Sequence, residues 1–230
     1  MQASLDSTIS FWEANSLMKY DYIIVGGGIV GLSTAAELLE RNSDLRVLVL
    51  ERGLFPSGAS TKNAGFACFG SVSELWQDLN LIGEKAMLAL VEKRWKGLEL
   101  LKDRLGKTKL DYLNHGGYEL LRENELHYLD KVAQINTILN PVFGTNVYKN
   151  AAKKIDQFGF GKQAIKGIIE NPFEAQIDTG EMMRSLIHFL PKDYLPQALY
   201  TQILDSRLSL QPHLLSSLLK QLHTHSNFSS

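Results

Sequence analysis

The sequence predicts an α/β fold built on a parallel, Rossmann-type sheet, and three observations lead to this prediction. A short run of β-branched and aromatic residues at 22–25 is typical of a buried strand. The glycines Gly26, Gly28 and Gly31 follow in a G-x-G-x-x-G turn, after which apolar residues recur at helical spacing. A second apolar strand then ends at the acid Glu51. This order of strand, turn, helix, strand and acid predicts a right-handed βαβ unit that binds a dinucleotide.

Each residue of this motif has a physical reason for its place. Gly26 permits the tight turn, Gly28 lets a pyrophosphate approach the backbone, and Gly31 allows the helix to pack closely on the strand. The helix N-terminus presents N–H groups and a partial positive charge to phosphate. Glu51 lies twenty residues beyond Gly31, where an acid accepts hydrogen bonds from ribose hydroxyls. A carboxylate here disfavours a 2′-phosphate, so we expect FAD or NAD rather than NADP.

Composition limits the classes to which the chain can belong. Its 230 residues are 44% hydrophobic, which suffices for a sizeable core in one or two domains. The formal net charge of −1 gives no reason to expect nucleic acid or an anionic membrane as a partner. The single cysteine, Cys68, cannot form an internal disulfide, which fits a reducing compartment. Because we find no secretion signal and no apolar run of roughly 18 to 20 residues, we expect a soluble cytoplasmic protein without a membrane span.

The segment after Glu51 and Arg52 has the composition of a loop that covers a cofactor. Residues 53–70 are dominated by glycine, small side chains and hydroxyls, so backbone N–H groups can approach a ligand closely. Ser60 and Thr61 can donate hydrogen bonds to phosphate. A plain surface loop is the alternative interpretation, but it would usually carry more charge.

These stretches together resemble the FAD-dependent oxidoreductases of the D-amino-acid oxidase and glycine oxidase type. The resemblance rests on residues 21–31, 47–52 and 58–65, the last of which looks like the family's second flavin-contacting stretch. It extends more loosely through 116–120 and 176–180, which resemble a strand of the substrate domain and the return into the FAD-binding domain. The resemblance implies an FAD-binding parallel sheet with an inserted, smaller α+β substrate domain.

The resemblance also assigns roles by position. Gly26, Gly28 and Gly31 would hold the pyrophosphate of FAD, and Glu51 would hold the ribose. The other candidate contacts to the pyrophosphate and the flavin ring are Arg52, Ser60, Thr61, Ala64, Gly65 and Phe66.

Two kinds of residue invite a chemical interpretation that we do not favour. Cys68 lies close to the second flavin-contacting stretch and suggests a covalent flavin link, but a small buried core cysteine is the more common case. His115 and His127 each follow a carboxylate by four residues, and neither pair has an evident third ligand. We therefore predict no metal site and interpret both histidines as surface or turn residues.

Beyond the loop, the pattern predicts packing helices over 72–105, ended by Gly106. Two short strands are expected within 110–121, separated by turn-forming residues at 114–117. A helix is expected over 123–139, and Asn140 and Pro141 should stop it. Residues 150–170 are expected to form loops and strands of a smaller domain over the flavin.

The resemblance divides the chain into four parts. Residues 1–109 begin the FAD-binding domain, 110–177 form the substrate domain, 178–186 return to the FAD-binding domain, and 187–230 are an atypical tail. All 18 glycines lie at or before Gly180, so the tail lacks the turn glycines of a Rossmann-type continuation.

The change of composition in this tail leads to the hypothesis that the chain is truncated, for example by a frameshift near Leu186. Members of the family that it resembles are typically much longer. The alternative is a natural short variant with a helical tail, because one helical face carries Leu214, Leu215, Leu218, Leu219 and Leu222.

The resemblance implies a flavin oxidoreductase that takes a hydride from the carbon bearing an amino group, giving an imine that water hydrolyses. The expected substrate is a small amine or amino acid. No catalytic side chain is assigned, since no nucleophile–base pair or carboxylate couple stands out. Because a half-built site loses preorganised contacts, we expect the chain itself to bind FAD poorly and turn over little. An NAD-dependent dehydrogenase and a nucleotide-binding module without turnover are the alternatives.

Overall fold

The computed structural model divides the chain into two compact units. The first combines residues 1–62 with 183–230, and the second comprises residues 63–182. The residues that the structure describes are 10, 12, 19–51, 53, 55–161, 163–190 and 201–202.

The first unit contains the predicted βαβ arrangement. Strand β1 (Tyr22–Val25) leads into helix α1 (Ile29–Arg41), and strand β2 (Val47–Glu51) returns parallel to β1, with Tyr22 opposite Val47. The buried face of α1 carries apolar residues at helical spacing, namely Leu32, Ala35, Ala36 and Leu39. The prediction that these two strands are parallel and adjacent is confirmed.

A third short strand, β8 (Thr201–Gln202), pairs in parallel with the end of β2. The sequence did not predict it, because residues 201–202 have no strand-like pattern around them. This pairing depends on the backbone N–H and C=O groups of β2 rather than on side chains. The pattern of side chains in the sequence therefore predicts such a strand poorly. Residues 191–200 and 203–230 lie outside the described residues, and the interpretation of the tail as foreign to the fold stays a prediction.

The second unit is built around three helices that share one core. Helices α2 (Val72–Ile82), α3 (Glu84–Leu105) and α5 (Val132–Phe143) pack together, as predicted for 72–105. Gly83 and Gly106 follow the first two helices with positive φ angles, which glycine adopts without strain. The fully buried members of this core include Phe69, Leu75, Met87, Val91, Ile135 and Leu139.

An antiparallel sheet covers this helical core. Its strands are β4 (Gly117–Leu121), β6 (Gly167–Asn171) and β5 (Lys149–Asn150), in the order β4-β6-β5. Leu121 and Ile169 belong to the core shared with the helices, whereas Ile168 packs on the other face. The alternation of side chains along the strands therefore lets both faces of the sheet bury apolar groups.

The remaining elements of the described chain are short or connect the larger ones. Strands β3 (Phe66–Ala67) and β7 (Ala175–Gln176) form an antiparallel pair. The other elements are α4 (Lys107–Leu110), a 3₁₀ helix (Glu123–Lys131), α6 (Lys154–Gln157) and α7 (Thr179–Phe189). Within the described residues, none of the helices combines the length and apolar character that a membrane span requires.

The prediction of two strands within 110–121 is wrong for the first of them, because this segment contains only strand β4. The chain forms α4 instead, and Asp111 ends this helix in the left-handed region with φ of 47°. Only Leu113 pairs, through an isolated bridge to Gln176 in which both N–H···O distances are 3.0 Å. Between the end of α4 at Leu110 and the turn-forming residues at 114–117, too few residues remain for the strand that was expected before β4.

The prediction that Pro141 stops a helix is also wrong. A 3₁₀ helix precedes α5, and α5 continues through Pro141 to Phe143. Gly144 ends it with φ of 67°, and its N–H donates to the Asn140 carbonyl oxygen at 2.8 Å. Proline in the last turn removes only one hydrogen bond. Continuation places the Phe143 ring 4.9 Å from that of Phe69, so aromatic packing compensates for the loss.

The compact units differ from the domain boundaries expected from sequence. The second unit starts at residue 63 rather than at 110, so α2 and α3 belong to it. The physical reason is packing, because both helices contact α5 and contribute buried side chains to its core.

Candidate functional site

The turn between β1 and α1 has the geometry that the glycine motif predicts. Gly26 has φ of 104°, which a side chain would strain. A Cβ added to Gly31 would overlap the Gly26 carbonyl oxygen. Helix α1 therefore starts in close contact with the end of β1, and only glycine permits this approach.

Glu51 lies beside this turn and holds it. Its Oε2 accepts a hydrogen bond from the Gly27 N–H at 2.8 Å, and its Oε1 accepts one from the Gly53 N–H at 3.0 Å. The carboxylate at the end of β2 is thus brought to the glycine turn after β1, as expected for an acid that binds ribose. It also connects the two loops that leave the carboxyl ends of these strands.

Ser60 reaches the N-terminus of α1. Its Oγ accepts a hydrogen bond from the Ile29 N–H at 3.0 Å, and a Cβ on Gly28 would lie 3.0 Å from the same oxygen. Gly28 is the N-cap residue of α1 and gives it no side-chain cap. The hydroxyl thus occupies a position where the N–H groups of a helix N-terminus donate hydrogen bonds to an anion or another acceptor oxygen.

Two other predicted contacts, Thr61 and Arg52, are not seen at the N-terminus of α1. The Thr61 hydroxyl donates to the Pro56 carbonyl oxygen at 2.8 Å, so it closes its own loop. Arg52 lies outside the described residues.

The remaining predicted contacts, Ala64, Gly65 and Phe66, belong to the second unit. Gly65 has φ of 72°, and a Cβ there would overlap the Ile177 carbonyl oxygen. Its carbonyl oxygen accepts from the Ile177 N–H at 2.8 Å. Phe66 follows in β3 and is 72% exposed. The structure therefore brings together Gly26, Gly28, Gly31, Glu51 and Ser60 within the first unit, and gives Gly65 a packing role in the second.

The interpretation of Cys68 as a buried core residue is wrong. Cys68 is exposed, while its neighbours Ala67 and Phe69 are buried, because side chains alternate along an extended segment. Desolvation by the surrounding protein still raises the pKa of the Cys68 thiol, and the Glu174 carboxylate adds to this shift. A raised pKa keeps the sulfur protonated at neutral pH, and the thiol is a weak nucleophile.

Sequence reasoning missed a group of acids in the second unit. Burial raises the pKa of Glu174 to about 7, with further contributions from Glu119 and Glu74. The Glu119 carboxylate accepts hydrogen bonds from the N–H groups of Val72 and Ser73 at 3.0 and 3.2 Å. No local pattern could have found this grouping, since these acids come from distant parts of the chain.

The part of the chain that the structure describes was also compared with the ligand sets of metal sites. There, no group of three or more histidine, cysteine, aspartate or glutamate side chains is placed to hold a metal ion.

Comparison with known proteins identifies the kind of fold that carries this site. The family model described as "FAD dependent oxidoreductase" matches residues 21–192. This range includes the glycine turn, Glu51 and Ser60 of the first unit and all of the second unit.

Solved structures show the same fold. Glycine oxidase from Bacillus cereus superposes with a TM-score of 0.54 at 22% identity, covering 80% of this chain and 48% of that one. Glycine oxidase from Geobacillus kaustophilus superposes with a TM-score of 0.52 at 23% identity, covering 80% and 46%. The chain thus spans less than half the length of these structures.

Curated relatives match over shorter ranges. Gamma-glutamylputrescine oxidoreductase of Escherichia coli is 28% identical over 135 residues, which are 56% of this chain and 30% of the relative. Glucose oxidase of Penicillium chrysogenum is 33% identical over 113 residues, which are 49% of this chain and 16% of the relative. L-2-hydroxyglutarate dehydrogenase of Dictyostelium discoideum is 61% identical over 33 residues, which are 14% of this chain and 7% of the relative.

Proposed function

The chain belongs to the family of FAD-dependent oxidoreductases, and on that premise we propose that it binds the adenosine end of FAD at its glycine turn and serves the oxidation of an amine or amino acid. FAD is the cofactor of the family. The NAD-dependent dehydrogenase considered from sequence is thereby the weaker alternative. The proposal extends from the family to particular residues and to a substrate class.

One observation carries the cofactor assignment, namely the hydrogen bond from the Gly27 N–H to Glu51. This bond holds the Glu51 carboxylate against a glycine turn whose helix N-terminus suits a pyrophosphate, which supports a ribose-binding role for this acid. The close approach of Gly31 to Gly26 shows that the turn already has the compact form that this role requires. The residues present therefore fit FAD.

The proposed roles follow from these contacts. Gly26 and Gly28 give the pyrophosphate access to the backbone, while Glu51 accepts hydrogen bonds from the ribose. Ser60 contributes its hydroxyl at the helix N-terminus. When bound, FAD would supply the acceptor for the hydride that leaves the substrate carbon.

The substrate class rests on the relatives. The Escherichia coli relative is named as an oxidoreductase of γ-glutamylputrescine, and the two structures with the same fold are named as glycine oxidases. These names concern amines or amino acids and support oxidation at a C–N bond. Glucose oxidase and L-2-hydroxyglutarate dehydrogenase match at most 49% of this chain, so they support the dinucleotide site more than a substrate.

Flavin binding tests the cofactor assignment. We would express residues 1–230, titrate the protein with FAD and obtain the Kd from the change in flavin fluorescence, since a weakly bound cofactor is lost on gel filtration. Glu51→Gln is expected to weaken FAD binding at least tenfold, because it removes the anionic acceptor at the turn. Asp44→Asn, an exposed acid in the same unit, is the control and should bind FAD as the wild type does. A colourless protein that instead binds NAD would overturn the proposal.

Turnover is tested separately. Hydrogen peroxide production and dye reduction would be measured on the FAD-loaded chain across a panel of amines and amino acids. We expect little turnover from this chain, because the contacts that fit FAD within the first unit are those of its adenosine end. Steady turnover with stoichiometric flavin would contradict that expectation, whereas activity on alcohols or hydroxy acids alone would overturn the substrate class.

A further inference from the structure

The second unit contains a cavity that the proposed function does not use. Its volume is about 370 Å³, within the range of about 300–1,000 Å³ that is typical of small-molecule sites. The loop before α2 and the facing sides of α2 and α3 form its wall. The lining residues are Cys68, Phe69, Gly70, Glu74, Gln77, Asp78, Leu81 and Arg94.

The positive charge in this wall belongs to Arg94, which one hydrogen bond links to the loop before α2. Nη1 of Arg94, on α3, donates a hydrogen bond to the Phe69 carbonyl oxygen at 3.1 Å. Gly70 borders the same guanidinium, since a Cβ at this glycine would be in ordinary van der Waals contact with Nη1 at 3.6 Å. A guanidinium has five N–H donors in a planar fork that matches a carboxylate. One contact to a carbonyl therefore leaves donors available to a ligand.

The negative charges come from the neighbouring helix. Glu74 and Asp78 are four residues apart on α2, so their side chains lie on one helical face. One oxygen of Glu74 accepts from the Ser71 N–H at 2.9 Å as part of a capping box. Asp78 is partly buried, and the described residues show no hydrogen bond or ion pair at its carboxylate.

Opposite charges thus share one cavity without neutralising each other. Ion pairs occur elsewhere in the described part of the chain. In the same part, no guanidinium nitrogen of Arg94 lies within 4.0 Å of a carboxylate oxygen of Glu74 or Asp78. A ligand that carries both charges can satisfy both sides, whereas a ligand with one charge leaves the other side unpaired.

We propose that this cavity binds the zwitterion of a small aliphatic amino acid, with Arg94 receiving the carboxylate and Asp78, assisted by Glu74, receiving the ammonium group. Leu81 is 80% exposed at the cavity wall and offers an apolar surface to an aliphatic side chain. The raised pKa of Cys68 keeps its thiol neutral, so the sulfur adds no third charge. This inference goes beyond the proposed function, because every residue that carries it lies in the second unit and none belongs to the glycine turn.

The test compares three ligands that differ only in charge. Racemic leucine carries both charges, 4-methylpentanoate carries only the carboxylate, and 3-methylbutylamine carries only the ammonium group. Binding of each to the 230-residue chain would be measured by saturation-transfer NMR and calorimetry. We expect leucine to bind at least about tenfold more tightly than either singly charged ligand, since it gains both charged contacts.

Two variants assign the charges to residues. Asp78→Asn should weaken leucine binding about tenfold and leave 4-methylpentanoate unchanged. Arg94→Gln should weaken leucine and 4-methylpentanoate and leave the amine unchanged. Asp103→Asn and Lys93→Gln, which change the same charges on exposed parts of α3, are the matched controls. Thermal melting of each variant verifies that it is folded, and Asp78→Asn keeps the test decisive if Arg94→Gln unfolds.

Equal binding of the three ligands, tighter binding of a singly charged ligand, unchanged leucine binding in both variants, or no binding at all would each overturn the inference. FAD binding by the same protein is measured in parallel. A chain that binds leucine without FAD would refute the proposed function alone, and one that binds FAD without leucine would refute this inference alone.

Discussion

At the scale of single residues, the glycines of the turn show most directly how close packing of the backbone limits the side chains that the chain can carry. Gly31 has no room for a side chain, because the Gly26 carbonyl oxygen already lies where a Cβ would be. The same close approach lets the helix N-terminus face a ligand at the end of β1. The stability of the turn thus depends on this contact, and so does the proposed binding of FAD.

Gly31→Ala is therefore expected to destabilise the protein by several kcal/mol, on the order of the larger single-site effects. Gly97→Ala is the matched control. Gly97 lies inside α3 with nothing within 4 Å of an added Cβ, so alanine should stabilise the helix by roughly 0.5–1 kcal/mol. Urea unfolding of both variants measures the difference. A Gly31→Ala variant as stable as the wild type would show that the turn does not have this geometry.

Glu174 gives a second prediction at the residue scale, on pH dependence. Burial raises its pKa from 4.5 to about 7 in the folded chain, so the folded state holds this proton more tightly than the unfolded state. The resulting stabilisation is complete below about pH 4.5 and is lost as the pH rises through 7. Glu174→Gln removes this dependence.

We expect Glu174→Gln to melt a few degrees higher than the wild type at pH 8.5, and the two to converge near pH 5. The glutamine oxygen can still accept from Asn171, which donates to Glu174 at 3.1 Å. Melting temperatures between pH 5 and 8.5 provide the measurement. An unchanged difference across this range would mean that Glu174 does not titrate near neutral pH.

At the scale of elements, helix α2 is capped from two directions. Ser71 and Glu74 form a local capping box, in which the Ser71 hydroxyl accepts from the Glu74 N–H at 3.3 Å. Glu119, from strand β4, accepts from the Val72 and Ser73 N–H groups. A side chain distant in sequence thus ties the sheet to the start of the helix and complements its dipole.

Ser71→Ala is expected to cost about 1 kcal/mol of unfolding free energy, as is typical for the loss of an N-cap. Glu119→Leu should cost more, about 2–3 kcal/mol, because it leaves two partly buried N–H groups without their acceptor. Chemical denaturation of both variants gives the comparison. If Ser71→Ala proved the more costly change, the local box rather than the strand residue would be the main cap.

At the scale of the whole molecule, the two compact units separate the two proposed sites. The glycine turn and Glu51 belong to the first unit, and the cavity lined by Asp78 and Arg94 belongs to the second. Each site can therefore be tested with variants in its own unit.

FAD is expected to stabilise the folded chain through the first unit. At a concentration of one hundred times its Kd, a ligand that binds only the folded state adds about 2.7 kcal/mol. Hydrogen exchange should then slow at the backbone amides of β1, α1 and β2, where the proposed contacts lie. Glu51→Gln should abolish this protection at the same FAD concentration. Protection confined to the second unit would contradict the proposed location.

The sequence by itself determined the βαβ unit and the glycine turn where we propose that FAD binds. Gly26, Gly28, Gly31 and Glu51 could be found because they follow one another at fixed spacings in the sequence. Local backbone geometry sets the spacing of the glycines, and the length of one βαβ unit sets that of Glu51. Only the tertiary structure decided that helix α5 continues through Pro141. It alone also brought the Glu119 carboxylate to the start of α2. Each of these outcomes depends on contacts between residues far apart in the chain, where packing and charge outweigh local propensity and leave no periodic signal in the sequence.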